Sequence, residues 1–158
     1  MKKLHFIIKN LRQNRQSVSF AESCTGGQIA AAFTSIAGVS DIFYGSAVTY
    51  SNAIKNEWLG VSNEILQKHG AVSSHCVEQM LVGIAKMAGS DYALAVSGIA
   101  GPGGGSELKP VGTVYIGVLT PSGILVEHNL FEGDRQEVQT QAKEKAIEML
   151  YNYFKEAQ

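Results

Sequence analysis

Three residue types that can cooperate in nucleophilic catalysis lie within sixteen residues of the chain. Ser40 lies in a turn, Tyr50 ends a β-rich segment, and Lys55 follows in the first turn of a predicted helix. A serine attacks a carbonyl carbon once a base removes its proton, and a neutral lysine can act as that base. The helix N-terminus disfavours a cation by only about 0.3–1 kcal/mol, so burial would have to lower the lysine pKa further. A surface lysine on a short helix is the alternative that this spacing leaves open.

A second candidate site is the segment AESCTGG, which lies between an apolar run and a run of small residues. Thr25, Gly26 and Gly27 at a strand-to-helix turn are typical of an anion-binding turn, because glycines let backbone N–H groups approach an oxygen closely. Ser23 lacks the flanking glycines of a nucleophile elbow. Cys24 has no histidine base placed near it, so we interpret it as a buried apolar residue. Close packing of a helix on a strand would require the same small residues, and both interpretations of the turn stay open.

A glycine-rich loop, SGIAGPGGG, follows a continuous apolar strand and contains Gly101, Gly103 and Gly104. A loop of this kind can wrap a ligand or serve as a flexible connector. Lys109 and Arg135 follow it and could pair with a phosphate, Arg135 through its planar fork of donors. Solvated surface positions are the alternative for both cations.

The pattern of apolar residues and turn residues predicts the element order α-β-α-β-α-α-β-β-β-α. The predicted helices cover residues 4–11, 28–36, 52–59 and 74–88 and a last segment that begins at Asp134, and the strands cover 17–22, 42–50, 92–96, 112–120 and 124–131. Helices interleaved with strands predict a three-layer α/β/α sandwich, and the hairpin between the last two strands makes the sheet mixed.

Composition excludes several classes of protein. The 158 residues include 13 basic and 14 acidic side chains, a balance that argues against a nucleic-acid partner. No apolar run is long enough to cross a membrane. Two cysteines and four scattered histidines show no metal-ligand spacing, so we expect no metal, no cofactor and a cytoplasmic location. Aromatic residues near the end (Tyr151, Tyr153 and Phe154) allow either a homodimer contact or a place in the core.

Five motifs together resemble one family. They are AESCTGG (21–27), GSAVTYSNAIK (45–55), SGIAGPGGG (97–105), KPVGTV (109–114) and GDR (133–135). In this order along nearly the whole chain they resemble the C-terminal domain family of the competence/damage-inducible protein CinA.

The resemblance implies a three-layer α/β/α sandwich with a mixed, mostly parallel five-stranded sheet, formed by a single domain over residues 1–158. Because stand-alone members of the family are nicotinamide-nucleotide amidases, it also implies hydrolysis of the carboxamide of nicotinamide mononucleotide to nicotinate mononucleotide and ammonia. The expected partner is this small-molecule nucleotide. We expect the N-terminal CinA domain, which has a separate pyrophosphatase activity, to be absent. A non-catalytic nucleotide-binding module related to CinA is the alternative.

The family is thought to use a serine, a tyrosine and a lysine without a metal. By motif the tyrosine is Tyr50, the lysine is Lys55, and the serine is placed at Ser40 in the turn AGVS, with Ser46 and Ser23 as substitutes. Lys55 would take the serine proton directly or through Tyr50. The substrate-binding residues are then expected to be Thr25, Gly26, Gly27, Ser46, Gly101, Gly103, Gly104, Lys109 and Arg135.

Overall fold

The computed structural model describes residues 1–157. The predicted domain extends one residue further, to residue 158, which lies outside the described residues. The helices are α1 (Lys2–Gln13), α2 (Gln28–Thr34), α3 (Asn52–Leu59), α4 (Asn63–His69), α5 (Ser74–Ala88) and α6 (Arg135–Glu156). The strands are β1 (Val18–Glu22), β2 (Phe43–Val48), β3 (Tyr92–Gly98), β4 (Thr113–Thr120) and β5 (Gly123–Leu130). A 3₁₀ turn, Val39–Asp41, precedes β2.

The five strands form one mixed sheet in the order β2-β1-β3-β4-β5. β1 pairs in parallel with β2 on one side and with β3 on the other, while β4 is antiparallel to both β3 and β5. Four strands therefore point in one direction and β4 in the other, although two of the four pairings are antiparallel. The predicted mixed five-stranded sheet is confirmed.

Two apolar clusters cover the two faces of the sheet. The larger cluster packs α1, α2 and α6 against side chains such as Phe20, Leu94 and Ile116. The smaller cluster packs α3, α4 and α5 against small strand residues, including Ala21 and Ala95. Burial of these two faces accounts for the three-layer α/β/α architecture, which the sequence pattern predicted correctly.

Helix α4 is absent from the predicted element order. It is seven residues long, its N-cap Ser62 accepts a hydrogen bond from the backbone N–H of Ile65, and Leu66 is its only buried residue. One buried residue produces no helical periodicity, so the pattern of apolar residues could not reveal this helix.

The last helix begins at the predicted position. Asp134 and Glu137 form a capping box, in which each side chain accepts from the other residue's backbone N–H. Toward its end, Phe154 is 5% exposed and Tyr151 and Tyr153 pack against the larger cluster. Phe154 therefore belongs to the core, and Tyr151 and Tyr153 lie partly buried at its margin. None of the helices within residues 1–157 is long and apolar enough to cross a membrane.

A close helix contact fixes α3 on α5. A Cβ atom added at Gly83 of α5 would lie 2.0 Å from the carbonyl oxygen of Leu59, the last residue of α3. The backbone of α3 therefore rests directly on α5. This contact positions the helix that carries Lys55.

Candidate active site

The candidate site lies where the carboxyl ends of β1, β2 and β3 meet. Ser23 follows β1 directly, Tyr50 and Lys55 follow β2, and Ser97 is near the end of β3. These residues line a cleft of about 250 Å³ together with Arg135 and the glycine-rich loop. Ligands of open α/β sheets gather at this edge, since the segments after parallel strands converge there.

Lys55 is buried at the base of the cleft and is 1% exposed. Its Nζ donates to the carbonyl oxygens of Thr49 at 2.7 Å and Tyr50 at 3.3 Å, and lies 3.0 Å from Ser23 Oγ. Burial lowers the pKa of Lys55 from its ordinary value, because the charged form loses hydration. The amine can therefore reach its neutral form more readily than a surface lysine, next to a serine hydroxyl.

Helix α3 covers residues 52–59, as predicted. Its N-cap is Ser51, whose side chain accepts from the backbone N–H of Ile54. Lys55 is thus the fourth residue of the helix. Its side chain reaches back over the first turn to the carbonyl groups of the preceding loop.

The turn after β1 holds Ser23 against Lys55. The backbone N–H of Ser23 donates to Val96 on β3 at 3.0 Å, and its carbonyl accepts from Gly26 at 3.0 Å. Cys24 is 3% exposed, and burial raises its pKa to about 12. A thiol that stays protonated is a poor nucleophile, in agreement with the interpretation of Cys24 as a buried apolar residue.

The structure does not bring Ser40 to the site. Ser40 is exposed in the 3₁₀ turn before β2, whereas Lys55 follows the other end of that strand. A strand of this length spans roughly 20 Å, so the serine and the lysine lie at opposite ends of β2. Arg12 of α1 holds the Ser40 turn through hydrogen bonds to Asp41 and to the carbonyl oxygen of Gly38. The prediction of Ser40 as the nucleophile is therefore withdrawn, and Ser23 becomes the candidate nucleophile.

The predicted anion-binding turn is filled by the protein's own carboxylate. Glu22 accepts hydrogen bonds from the Thr25 hydroxyl, the Ser46 hydroxyl and the backbone N–H groups of Ile29 and Ala30. Thr25 is fully buried in this contact. The hydroxyls of Thr25 and Ser46 are therefore bonded to Glu22. Contrary to the expectation that they bind the substrate, neither these two residues nor Gly26 and Gly27 line the cleft.

Arg135, at the start of α6, reaches across the cleft. Its guanidinium donates from Nη1 to the carbonyl oxygen of Gly101 at 2.7 Å and from Nη2 to the Tyr50 hydroxyl at 2.8 Å. The Tyr50 hydroxyl thus faces Arg135, while the Tyr50 carbonyl faces Lys55. Gly103 and Gly104, two of the residues expected to bind the substrate, line the same cleft.

Lys109 does not line the cleft. Its Nζ donates to the carbonyl oxygen of His69 at 2.6 Å and lies close to Gly70. Among residues 1–157, no group of three histidine, cysteine or acidic side chains is arranged to hold a metal ion.

Several residues that line the cleft were not among the predicted site residues, including Ala71, Val72 and Ser97. Ala71 and Val72 carry no reactive group, and Ser97 is one of many serines in the chain. Ser23 was predicted only as a substitute for Ser40. Its position directly after a buried strand favours it over Ser40 once β1 and β2 are known to be parallel neighbours.

Comparison with known proteins agrees with this architecture. The family model of the CinA C-terminal domain matches residues 2–154. The chain belongs to the CinA C-terminal domain family. A CinA-like protein of Fervidobacterium nodosum is 50% identical over 150 residues, which cover 94% of this chain and 37% of that protein. The chain therefore spans only about a third of the length of such curated relatives.

Solved structures of CinA-family proteins share the fold over almost their whole length. The competence/damage inducible protein CihA from Agrobacterium tumefaciens is 40% identical with a TM-score of 0.91, covering 94% of this chain and 92% of that one. The competence damage-inducible protein A from Klebsiella pneumoniae is 34% identical with a TM-score of 0.94, covering 99% and 98%. The three-layer fold is thus common to this CinA-family domain and these structures.

Proposed function

We propose that the chain is a nicotinamide-nucleotide amidase that hydrolyses the carboxamide of nicotinamide mononucleotide to nicotinate mononucleotide and ammonia. The observation that supports this proposal is the 3.0 Å contact between the buried Nζ of Lys55 and Oγ of Ser23 at the base of an open cleft. A serine paired with a depressed-pKa lysine is an arrangement suited to acyl transfer. The family resemblance supplies the substrate.

The chemistry has two halves. Neutral Lys55 takes the Ser23 proton as Oγ attacks the amide carbon, which gives a tetrahedral oxyanion that hydrogen-bond donors at the cleft would stabilise. The C–N bond then breaks, and Lys55 returns the proton to the leaving nitrogen, which departs as ammonia. In the second half a water molecule gives its proton to Lys55 and attacks the acyl carbon. The acid product leaves, and Ser23 regains its proton.

Arg135 is the proposed phosphate-binding residue. Its guanidinium lies at the cleft, and both of its hydrogen-bonded partners there are neutral oxygens, those of Gly101 and Tyr50. A phosphate could therefore add charge-assisted hydrogen bonds to the planar fork. The glycine-rich loop, including Gly103 and Gly104, provides backbone that can approach the nucleotide closely.

A cytoplasmic location is part of the proposal. Cys24 and Cys76 are both free and buried, an arrangement that suits a reducing compartment.

Ammonia release from nicotinamide mononucleotide tests the proposal directly. We expect turnover by the natural sequence and a loss of at least roughly a thousandfold in Ser23→Ala and Lys55→Ala. Ser40→Ala is the matched control, because this serine is exposed at the end of β2 opposite to the cleft. This variant should keep full activity. An inactive natural protein that still binds the nucleotide in calorimetry would establish the non-catalytic module instead. Loss of activity in Ser40→Ala alone would contradict the assignment of Ser23.

A further inference from the structure

Glu22, the last residue of β1, is a fully buried carboxylate directly before Ser23. A buried charge is costly unless hydrogen bonds replace its hydration. Its partners are four neutral donors, two on each oxygen. Oε1 accepts from Thr25 Oγ1 at 2.9 Å and from the Ile29 N–H at 2.9 Å. Oε2 accepts from Ser46 Oγ at 2.9 Å and from the Ala30 N–H at 3.1 Å.

These donors belong to three different segments. Thr25 is in the turn that carries Ser23, Ile29 and Ala30 are in the first turn of α2, and Ser46 is on β2. The N-cap of α2 is Gly27, which has no side chain, so Glu22 supplies the anion that the free N–H groups of this helix attract. One carboxylate thus joins the strand before Ser23 to the turn, to the helix after it and to the neighbouring strand.

Both side-chain oxygens of Glu22 must accept hydrogen bonds, and an amide has only one oxygen that can do so. Each oxygen accepts from one backbone N–H, and a backbone N–H can only donate. In Glu22→Gln, whichever way the amide turns, its NH₂ group would face the N–H of Ile29 or of Ala30. The turn would have to shift to relieve this contact between two donors.

We propose that Glu22 is a positioning residue, whose carboxylate fixes the turn after β1 so that Ser23 Oγ stays in contact with Lys55 Nζ. The inference rests on the proposed amidase function, in which that contact starts the reaction. Glu22 itself does not line the cleft. Its substitution should therefore impair the chemical step and leave nucleotide binding by Arg135 and the glycine-rich loop intact.

The kinetic experiment compares Glu22→Gln with the natural sequence, at a temperature where circular dichroism shows both to be folded. We expect kcat for ammonia release to fall roughly 100-fold, the effect of a displacement of about 1 Å, with KM within about threefold of its original value. Ser46→Ala is the milder variant, because it removes one donor and leaves both backbone donors in place. It should lower kcat several-fold with KM unchanged. If Glu22→Gln does not fold, Ser46→Ala decides, and an unchanged kcat in it overturns the proposal.

A second experiment needs no turnover. The thiol introduced by Ser23→Cys would lie beside Lys55, and a neighbouring ammonium favours the thiolate, so we expect rapid alkylation by iodoacetamide. Adding Glu22→Gln should slow this alkylation roughly tenfold at about pH 7. The pKa of Cys24 is raised to about 12 and that of Cys76 to about 11, so both react slowly, and fragment masses separate position 23 from Cys24.

The two experiments separate the two proposals. A natural protein that releases no ammonia, combined with slowed alkylation in the double variant, would reject the amidase function and retain the positioning role of Glu22. Unchanged alkylation and unchanged kcat in Glu22→Gln would reject the positioning role and leave the amidase function standing. A raised KM with unchanged kcat in Glu22→Gln would also overturn the positioning role, since Glu22 would then act on substrate binding.

Discussion

At the scale of single residues, the surroundings of Lys55 suit both protonation states of its amine. As a cation it donates to the carbonyl oxygens of Thr49 and Tyr50 and to Ser23 Oγ. As a neutral amine it keeps two N–H donors for the two carbonyls, and its lone pair can accept the Ser23 hydroxyl proton. Deprotonation therefore costs no hydrogen bond. The site allows the lysine to exchange a proton with Ser23 without rearrangement.

The pH dependence of the rate tests this arrangement. In the proposed mechanism neutral Lys55 is the base, so kcat/KM should rise with pH and level off above an ionisation that lies below the ordinary lysine value of 10.5. The thiols cannot account for this ionisation, since the pKa values of Cys24 and Cys76 are raised to about 12 and about 11. Ammonia release should be measured from about pH 6 to pH 10. A rate that does not change over that range would contradict a titrating base.

Arg135 supports a prediction about substrate choice. Arg135→Gln keeps a hydrogen-bonding side chain but removes the charge that a phosphate would need. We expect KM for nicotinamide mononucleotide to rise about 10- to 100-fold, the range of a lost charged hydrogen bond. Any turnover of nicotinamide riboside, which lacks the phosphate, should be unchanged. Lys109→Gln is the control, because Lys109 contacts His69 and not the cleft. Equal losses for both substrates would show that Arg135 does not recognise the phosphate.

At the scale of elements, the contact between α3 and α5 should contribute both to the stability of the fold and to the position of Lys55. Gly83→Ala places a Cβ 2.0 Å from the carbonyl oxygen of Leu59, so α3 must move away from α5. We expect a loss of about 1–3 kcal/mol in the free energy of unfolding in urea, as for other overpacked sites. Lys55 moves with α3, so kcat should fall as well. Val82→Ala is the matched control, since Val82 is the neighbouring residue on α5 and is 52% exposed. Unchanged stability in Gly83→Ala would contradict the contact.

Elements with strong local signals were predictable from sequence. Helix α5 was predicted over residues 74–88 and has those bounds, because Ser73 caps it, Gly89 ends it in a left-handed conformation and five of its residues are buried. The short helix α4 has a cap but one buried residue, and the prediction missed it. A short helix can therefore be predicted from sequence only when a stripe of buried residues accompanies its caps.

The site was predicted in part, for a topological reason. Of the predicted catalytic residues, Tyr50 and Lys55 line the cleft. Ser40 does not, although it is nearer to Lys55 in sequence, whereas Ser23 contacts Lys55 directly. Sequence does not state that β1 and β2 are parallel neighbours. The buried Glu22 was missed for a related reason, since one of its donors, Ser46, comes from that neighbouring strand.

At the scale of the whole molecule, the three layers let the protein bury a lysine. β1 lies inside the sheet between β2 and β3, and helices cover both of its faces. The Ser23 turn and Lys55 are therefore shielded from the two sides while the cleft stays open at the strand ends. The same burial that lowers the pKa of Lys55 must lower the stability of the folded protein at neutral pH.

The free-energy cost of burying Lys55 can be measured by comparing the stability of the natural sequence with that of Lys55→Met as a function of pH. The unfolded lysine titrates near 10.5 and the folded one at lower pH, so between these values the unfolded chain holds one more proton. The free energy of unfolding of the natural sequence, relative to Lys55→Met, should therefore increase with pH through that window, by at most about 1.4 kcal/mol per unit. Below the folded pKa and above 10.5 the difference should be constant.

Urea unfolding of both proteins, at intervals from about pH 6 to pH 11, measures this difference. Titration of Cys24 and Cys76 lowers the stability of both chains at high pH, because burial raises their folded pKa values above the ordinary 9.0, and it largely cancels in the comparison. Hydrogen bonds lost at Thr49 and Tyr50 shift the difference by an amount that does not depend on pH, so the slope alone carries the test. A slope of zero would mean that Lys55 keeps its ordinary pKa in the folded protein, and a negative slope would mean that folding favours its charged form. Either result would remove the base from the proposed mechanism.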